Sequence, residues 1–458
     1  MTSPIFPPTF QFGAATSSYQ IEGAIREGGR GPSIWDVFCD QPGAIQDGSS
    51  GAVTSDHYHR MEQDVALMAQ LGLEAYRFSI AWPRIQPQGR GVINQPGLDF
   101  YQRLVDQLRL HGIKPVVTLY HWDLPQTLEE AGGWPNRDTA YYFADYAAAV
   151  AHHLGDRVDS WITVNEPWCA ALLGYGAGVH APGRQEPAEA LAAAHHLNLG
   201  HGLAAQAVRS EVAGARLAVA LNPHVLLPAS ESPDDIAATR AMELVGNELF
   251  LQPLLEGHYP AELLGQRHVT DWGFIQDGDL GQIHQPLSYL AVNYYMTWRV
   301  AHQPGQNPGG AWVGVYDAAQ LPAVPPITAM GWNIDPTGLT RLLTGLHQRY
   351  PQVPLVVSEN GSAFADTVAA DGAVHDPQRV DYLRGHLAAL AEVVAAGVPV
   401  EGYFAWSLMD NFEWAEGYRP RFGLFYVDYA TGERIWKDSA RFYAEVIRHR
   451  EVTNARGR

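Results

Sequence analysis

The chain has 458 residues, 46% of them hydrophobic and 17% charged, a charged share below the usual quarter, which favours one large buried body over several small ones. A net charge of −19, from 30 Lys+Arg against 49 Asp+Glu, argues against nucleic acid and anionic membranes as partners and, more weakly, against a polyanionic substrate. Cys39 and Cys169 are the only cysteines, too few for a disulfide framework and without CxxC spacing. Met1 to Phe10 lacks a basic and an apolar leader region, and no apolar stretch approaches the length of a membrane helix. No signal peptide is expected, and a reducing cytoplasm is the expected location.

From residue 10 onward strand-like and helix-like stretches alternate. A strand at 10–15 is followed by one at 75–81, with a helical pattern at 64–71 between them. Helix 98–111 leads to strand 114–120, helix 139–154 to strand 160–164, and helix 188–208 to strand 216–222. Strand 289–294 precedes a Gly/Pro-rich stretch, 303–326, which reads as a long βα loop before helix 338–349. Strand 354–358, helix 379–396 and strand 402–406 complete the series. About eight such alternations predict an α/β fold, a single (β/α)8 barrel over residues 1–458 with long βα-loop insertions; a doubly wound sheet is the structural alternative.

Two of these strands end in a glutamate beside an asparagine: Thr163-Val164-Asn165-Glu166-Pro167 and Val357-Ser358-Glu359-Asn360-Gly361. A carboxylate at the rim of a buried strand is costly to desolvate, so it must be paired or used. Two such groups facing one pocket are what glycosidic bond cleavage needs, one to protonate the leaving oxygen and one to attack or activate water. The competing reading is two strand-end glutamates salt-bridged to unrelated partners. Other polar and aromatic residues collect at the same strand ends: Gln20, Arg77, His121, Trp122, Asn222, His224, Asn293, Tyr295 and Trp406. In such barrels the C-terminal rim is where active sites are built.

At full length the chain resembles glycoside hydrolase family 1, the retaining β-glucosidases and their relatives. The likeness runs from Phe12-Gly13-Ala14-Ala15-Thr16-Ser17-Ser18-Tyr19-Gln20 through Tyr76-Arg77-Phe78-Ser79 and Tyr120-His121-Trp122-Asp123 to Trp406-Ser407-Leu408-Met409-Asp410-Asn411-Phe412-Glu413-Trp414. The family's usual threonine before the second glutamate is Ser358 here. Asn333 stands where an acidic residue is common, on the expected aglycone side. The resemblance implies Glu166 as acid/base and Glu359 as nucleophile, with Arg77, Asn293 and Tyr295 supporting the latter. It implies that Asn165 bonds the sugar's 2-hydroxyl, and that Gln20, His121, Trp122, Trp406, Glu413, Trp414 and Phe422 bind the sugar. Trp168, Leu173, Asn222, His224 and Trp332 would line the aglycone side. A cation beside Glu359 is expected to depress its pKa, while burial and that charge raise Glu166.

The implied function is a retaining, exo-acting β-glucosidase without metal or cofactor. Its expected substrates are small neutral β-glycosides, including β-galactosides and β-fucosides, with glucose as product and transglycosylation as a side reaction. The alternatives are a 6-phospho-β-glycosidase and a non-catalytic sugar-binding barrel. Phosphate recognition calls for a cationic, hydroxyl-bearing loop, whereas Glu413-Trp414-Ala415-Glu416 is acidic. His57-Tyr58-His59 lacks a ligand partner at zinc spacing. Gly174-Tyr175-Gly176-Ala177-Gly178 lacks dinucleotide-loop spacing. The sequon at Asn360 adjoins the second glutamate and is expected to be unmodified. His152-His153 and His195-His196 fall in helical stretches and read as structural or solvent-facing.

Overall fold

In the computed structural model, which describes residues 5–265 and 269–452, eight strands hydrogen-bond side by side into a closed, wholly parallel barrel. They are β1 (Gln11–Ala15), β2 (Ala75–Ser79), β3 (Lys114–Tyr120), β4 (Ser160–Asn165), β5 (Leu217–Leu221), β6 (Leu290–Asn293), β7 (Leu355–Asn360) and β8 (Val400–Trp406). Every residue of β2, β4, β5, β6 and β7 is buried, the continuous burial expected of parallel strands covered on both faces. All eight stretches expected to be strands are strands, with no end displaced by more than two residues and 114–120 matched at both ends.

The helices form the outer layer. Helix Gln95–Leu110 buries Leu98, Tyr101, Leu104, Val105 and Leu108, a stripe at three- and four-residue spacing that faces the barrel. Replacing Leu104 with Ala would leave a void there and cost about 2–5 kcal/mol. Helix Pro187–Glu211 is buried almost all round, including His195 and His196. His195 contacts Asp279 and His196 contacts the Trp134 carbonyl, so both are structural, while His152 is exposed against Glu211. His57 is likewise spent on Asp64, itself paired with Arg434, and His59 sits at the surface against Asp56 and Glu27.

Stretch 303–326 is not purely loop. Thr297–His302 and Ala318–Gln320 pair antiparallel, and Val225–Pro228 adds to the former in parallel, forming a small second sheet beside the barrel mouth. A three-residue strand has no measurable periodicity, so Gly and Pro content dominates its reading in sequence. Helix His57–Leu71 also starts seven residues before the expected 64, because Tyr58 and Met61 are its only apolar residues ahead of Val65.

The barrel's register slips at its two glutamate strands. On β4 the pairing with β5 shifts between Ile162 and Asn165, and on β7 the pairing with β6 shifts between Val357 and Glu359. Such bulges re-aim side chains where a strand meets a site. Gly361, just beyond β7, is required by packing: a Cβ there would meet the Trp406 carbonyl oxygen at 1.7 Å.

Candidate active site

A cavity of about 330 Å³ opens at the C-terminal mouth, and both strand-end glutamates line it. Glu359 is 3% exposed and Glu166 6%. Glu359 is the penultimate residue of β7, and Glu166 follows β4 with φ +43, a left-handed conformation costly for a side-chain-bearing residue. Trp122 and Trp414, whose rings meet at 4.6 Å in the wall of the same mouth, share that feature with φ +76 and +52.

The partners of the two carboxyls differ in kind. Arg77 Nη1 donates to Glu359 Oε1 at 2.6 Å and Tyr295 Oη donates to Oε2 at 2.7 Å. Glu166 receives only neutral donors: Asn293 Nδ2 on Oε1 at 2.7 Å and the Cys169 thiol on Oε2 at 3.1 Å. Asn293, assigned from the resemblance to Glu359, is therefore shared; its direct bond is to Glu166, while it also lowers the pKa of Glu359. Ser358 Oγ donates to Asn293 Oδ1 at 2.6 Å, so the serine keeps a hydroxyl in use where the family has threonine.

Burial lifts Glu359 above the usual carboxylate value, with Arg77, Tyr295 and Asn293 opposing it. The net depression expected from a neighbouring cation does not occur, because loss of water costs the charge more than one guanidinium returns. Glu166 is pushed up to about 7, first by burial and then by the charge on Glu359. That charge acts on Glu166 when Glu166 titrates, so Glu359 is the first of the two to ionise. Glu413 is pushed up to about 8, by burial first and then by the charges of Glu359, Glu166 and Glu416. At neutral pH it is mostly protonated, so its carboxyl can donate as well as accept.

Around these groups the wall is aromatic. Trp122, Trp168, Trp298, Trp332, Trp406, Trp414 and Phe422 all line the cavity, as do Leu173, Asn222 and His224. His121 stacks between Trp406 and Trp414 at 5.9 and 6.0 Å. Asn165 Nδ2 lies 3.1 Å from His121 Nε2 and can only donate to it, so the ring proton belongs on Nδ1. His121 Nδ1, Trp168 Nε1 and His180 Nδ1 are buried atoms of residues in this wall, without a hydrogen-bond partner among the described residues. Hydroxyl oxygens of a bound polyol would satisfy them.

Gln20, Arg77 and Asn165 stand one layer behind the wall. Gln20 Nε2 donates to Asn411 Oδ1, the Phe412 carbonyl and Glu413 Oε2, pinning the loop after β8. Asn165 Oδ1 accepts from Arg77 Nη2 at 2.6 Å and from Asn293 Nδ2 at 3.1 Å, linking the two halves of the site. Asn333 does not face the aglycone side; its amide is spent on the backbone of Thr297. Asn360 is buried and bonded to Tyr294 and Tyr382, which leaves its sequon inaccessible. Cys169, His180 and Trp298 were not assigned to the site from sequence. Cys169 had a legible signal, standing three residues past Glu166 where a helix follows, while His180 arrives from a loop with no pattern. Among the described residues no group of three or more His, Cys, Asp or Glu is placed to hold a metal ion.

The glycosyl hydrolase family 1 profile matches residues 2–452. The chain is 50% identical over 459 aligned positions to a bifunctional β-D-glucosidase/β-D-fucosidase of Bifidobacterium breve, covering 97% of this chain and 98% of that one. Its fold matches the crystal structure of a psychrophilic β-glucosidase from Micrococcus antarcticus with a TM-score of 0.94 at 44% identity, covering 98% of this chain and 100% of the other. It also matches the Thermotoga maritima β-glucosidase in complex with deoxynojirimycin, with a TM-score of 0.93 at 42% identity and coverage of 98% and 100%. A match along nearly the whole chain, on a (β/α)8 barrel with two glutamates at its mouth, has one consequence: the chain belongs to glycosyl hydrolase family 1.

Proposed function

We propose that this barrel, acting as one catalytic unit, hydrolyses small neutral β-glycosides, glucosides first, with net retention at the anomeric carbon. The observation that carries this reading is the asymmetry between two buried glutamates in one cavity. The one held by Arg77 and Tyr295 ionises first; the one held by neutral donors keeps its proton to about pH 7. In the first step Glu359 attacks the anomeric carbon while Glu166 gives its proton to the departing glycosidic oxygen, leaving a glycosyl ester and a free alcohol. Forming the ester removes the charge on Glu359, so the pKa of Glu166 falls. Glu166 then takes a proton from water as the water's oxygen attacks the same carbon and releases Glu359.

Asn165 would turn its amide to the 2-hydroxyl, while His121 and Glu413 would meet other ring hydroxyls and Trp406 would support the sugar face. Interception of the ester by an alcohol in place of water gives transglycosylation. Fucosides fit the same site, in keeping with the two activities named for the Bifidobacterium relative. Two unbridged cysteines suit work in a reducing cytoplasm, and the acidic net charge speaks against nucleic acid and anionic membrane as partners. Among the described residues no helix is long and apolar enough to cross a membrane.

A phosphorylated sugar is disfavoured, since the described wall carries Glu166, Glu359, Glu413 and Glu416 and no lysine or arginine. A non-catalytic binder would have no use for two carboxyls tuned apart. The test is a panel of p-nitrophenyl glycosides with and without a 6-phosphate, with NMR of the first-formed anomer. An α-anomer from a β-glucoside would sink retention, and preferred turnover of the 6-phosphate would favour the phospho-glycosidase.

A further inference from the structure

Beyond the two glutamates, the cavity wall holds a buried thiol in contact with one of them. Cys169 begins the wide, π-helical turn Cys169–Ala177 that follows β4, and the Ala170 amide donates back to the Glu166 carbonyl at 3.2 Å. This carries the thiol back to its own strand's glutamate, where it donates to Oε2 at 3.1 Å; behind it, Asn222 Nδ2 donates to the sulfur at 3.5 Å. The contact closes a clamp, since Asn293 from β6 already holds Oε1 at 2.7 Å. We propose that Cys169 is a positioning residue for Glu166: with Asn293 it fixes the carboxyl plane between β4 and β6 and stabilises the carboxylate that must act as base in the second half of the reaction.

The chemistry of the two clamping groups differs in a useful way. An amide N–H can only donate, so Asn293 favours the carboxylate alone. A thiol donates weakly to the carboxylate and can turn to accept weakly from the carboxylic acid, so it serves both protonation states that Glu166 visits. Burial and the charge of Glu166 hold the sulfur's own pKa far above its usual value, so it stays S–H throughout the working range. This also makes it a poor nucleophile and a poor redox centre. The other groups felt by, or feeling, Glu166 are Glu359 and Arg77 across the mouth, Tyr295 after β6, and Glu413 after β8. None of them bonds Oε2.

This inference rests on Glu166 being the acid/base. The experiment is the pH dependence of kcat/KM for p-nitrophenyl β-glucoside in Cys169→Ala, Cys169→Val and Cys169→Ser. Loss of one donor to the carboxylate should move the alkaline limb upward by roughly half a pH unit in the Ala and Val variants, leaving the acidic limb in place. Serine, which donates from nearly the same position, should return the limb toward wild type. Val and Ser are close to the thiol in volume, so the comparison survives if the Ala variant folds poorly. An alkaline limb unmoved in Val, or moved as far in Ser as in Val, overturns the proposal, because a packing role changes the rate and not the limb. Glu166→Gln separates the two readings. If the alkaline limb persists in that variant, the acid/base assignment has failed; if it vanishes there yet ignores Cys169, only the clamp has failed.

Discussion

The two ends of the barrel both gather charged side chains around a cavity, but they treat them differently. At the N-terminal floor, around a space of about 260 Å³, Lys114, Asp159, Arg216 and Glu401 neutralise one another: Arg216 reaches Glu401 at 2.7 Å and Asp159 at 3.9 Å, and Lys114 reaches Asp159 at 4.0 Å. These side chains are 24–56% exposed, so each pair contributes only about 0–1 kcal/mol. At the C-terminal mouth Glu166 and Glu359 are buried and Glu413 is half-buried, with one guanidinium, that of Arg77, bonded to Glu359. Unneutralised burial costs stability, and that cost is what sets the three protonation equilibria apart. Charge that pairs off holds a surface together; charge left unpaired in a dry site can do chemistry.

The largest break in this contrast should come from Glu359→Gln, which removes the proposed nucleophile and should lower kcat by roughly four orders of magnitude or more for every substrate. Steady-state assays with good and poor leaving groups check it. Glu166→Ala should be nearly as damaging for alkyl glycosides, yet should spare the first step for activated aryl glycosides, which need little protonation. Added azide should then be captured as a β-glycosyl azide, and an α-azide would mean that the two roles are reversed.

Glu413 should matter less. Its replacement by Gln or Ala is expected to lower kcat/KM for glucosides roughly ten- to a hundredfold, through loss of strong bonds to the sugar hydroxyls. Glu413→Ser should also narrow the gap between glucoside and glucoside 6-phosphate, measured as the ratio of the two kcat/KM values.

The pH behaviour of the mouth follows from the same shifts. Activity should be bell-shaped, with an acidic limb for Glu359 and an alkaline limb near pH 7 for Glu166. Both Glu166 and Glu413 have folded pKa values raised above 4.5, so their protonation favours the fold at low pH and that contribution is lost as pH rises through about 7 and 8. Thermal stability should therefore decline from pH 5 to 9, and Glu413→Gln should flatten the decline by about 1–3 kcal/mol. At the floor, Arg216→Ala should do least, changing stability by about 0.5 kcal/mol with kcat unaltered. A floor variant that altered the pH profile would erase the distinction between the two ends.

Much of this was legible in one dimension. Apolar β-branched runs alternating with amphipathic stretches specify eight buried strands and their helices, because burial on both faces leaves little choice of residue. Glu166 and Glu359 stand out locally, since a carboxylate ending an apolar strand must be paired or used, and two of them beside matching asparagines are poorly explained by unrelated salt bridges. The motifs flanking them suffice for the family. Long-range quantities were not legible: the small sheet at 225–228, 297–302 and 318–320 depends on pairing between distant short segments. Whether Arg77 lowers or only moderates the pKa of Glu359 depends on how much water the whole barrel removes. Asn333, Asn293 and Cys169 could be given partners only once β4, β6 and the small sheet were in place. Residue type and period belong to the chain itself; desolvation and the sharing of one donor between two carboxyls arise only where strands far apart in sequence close the barrel.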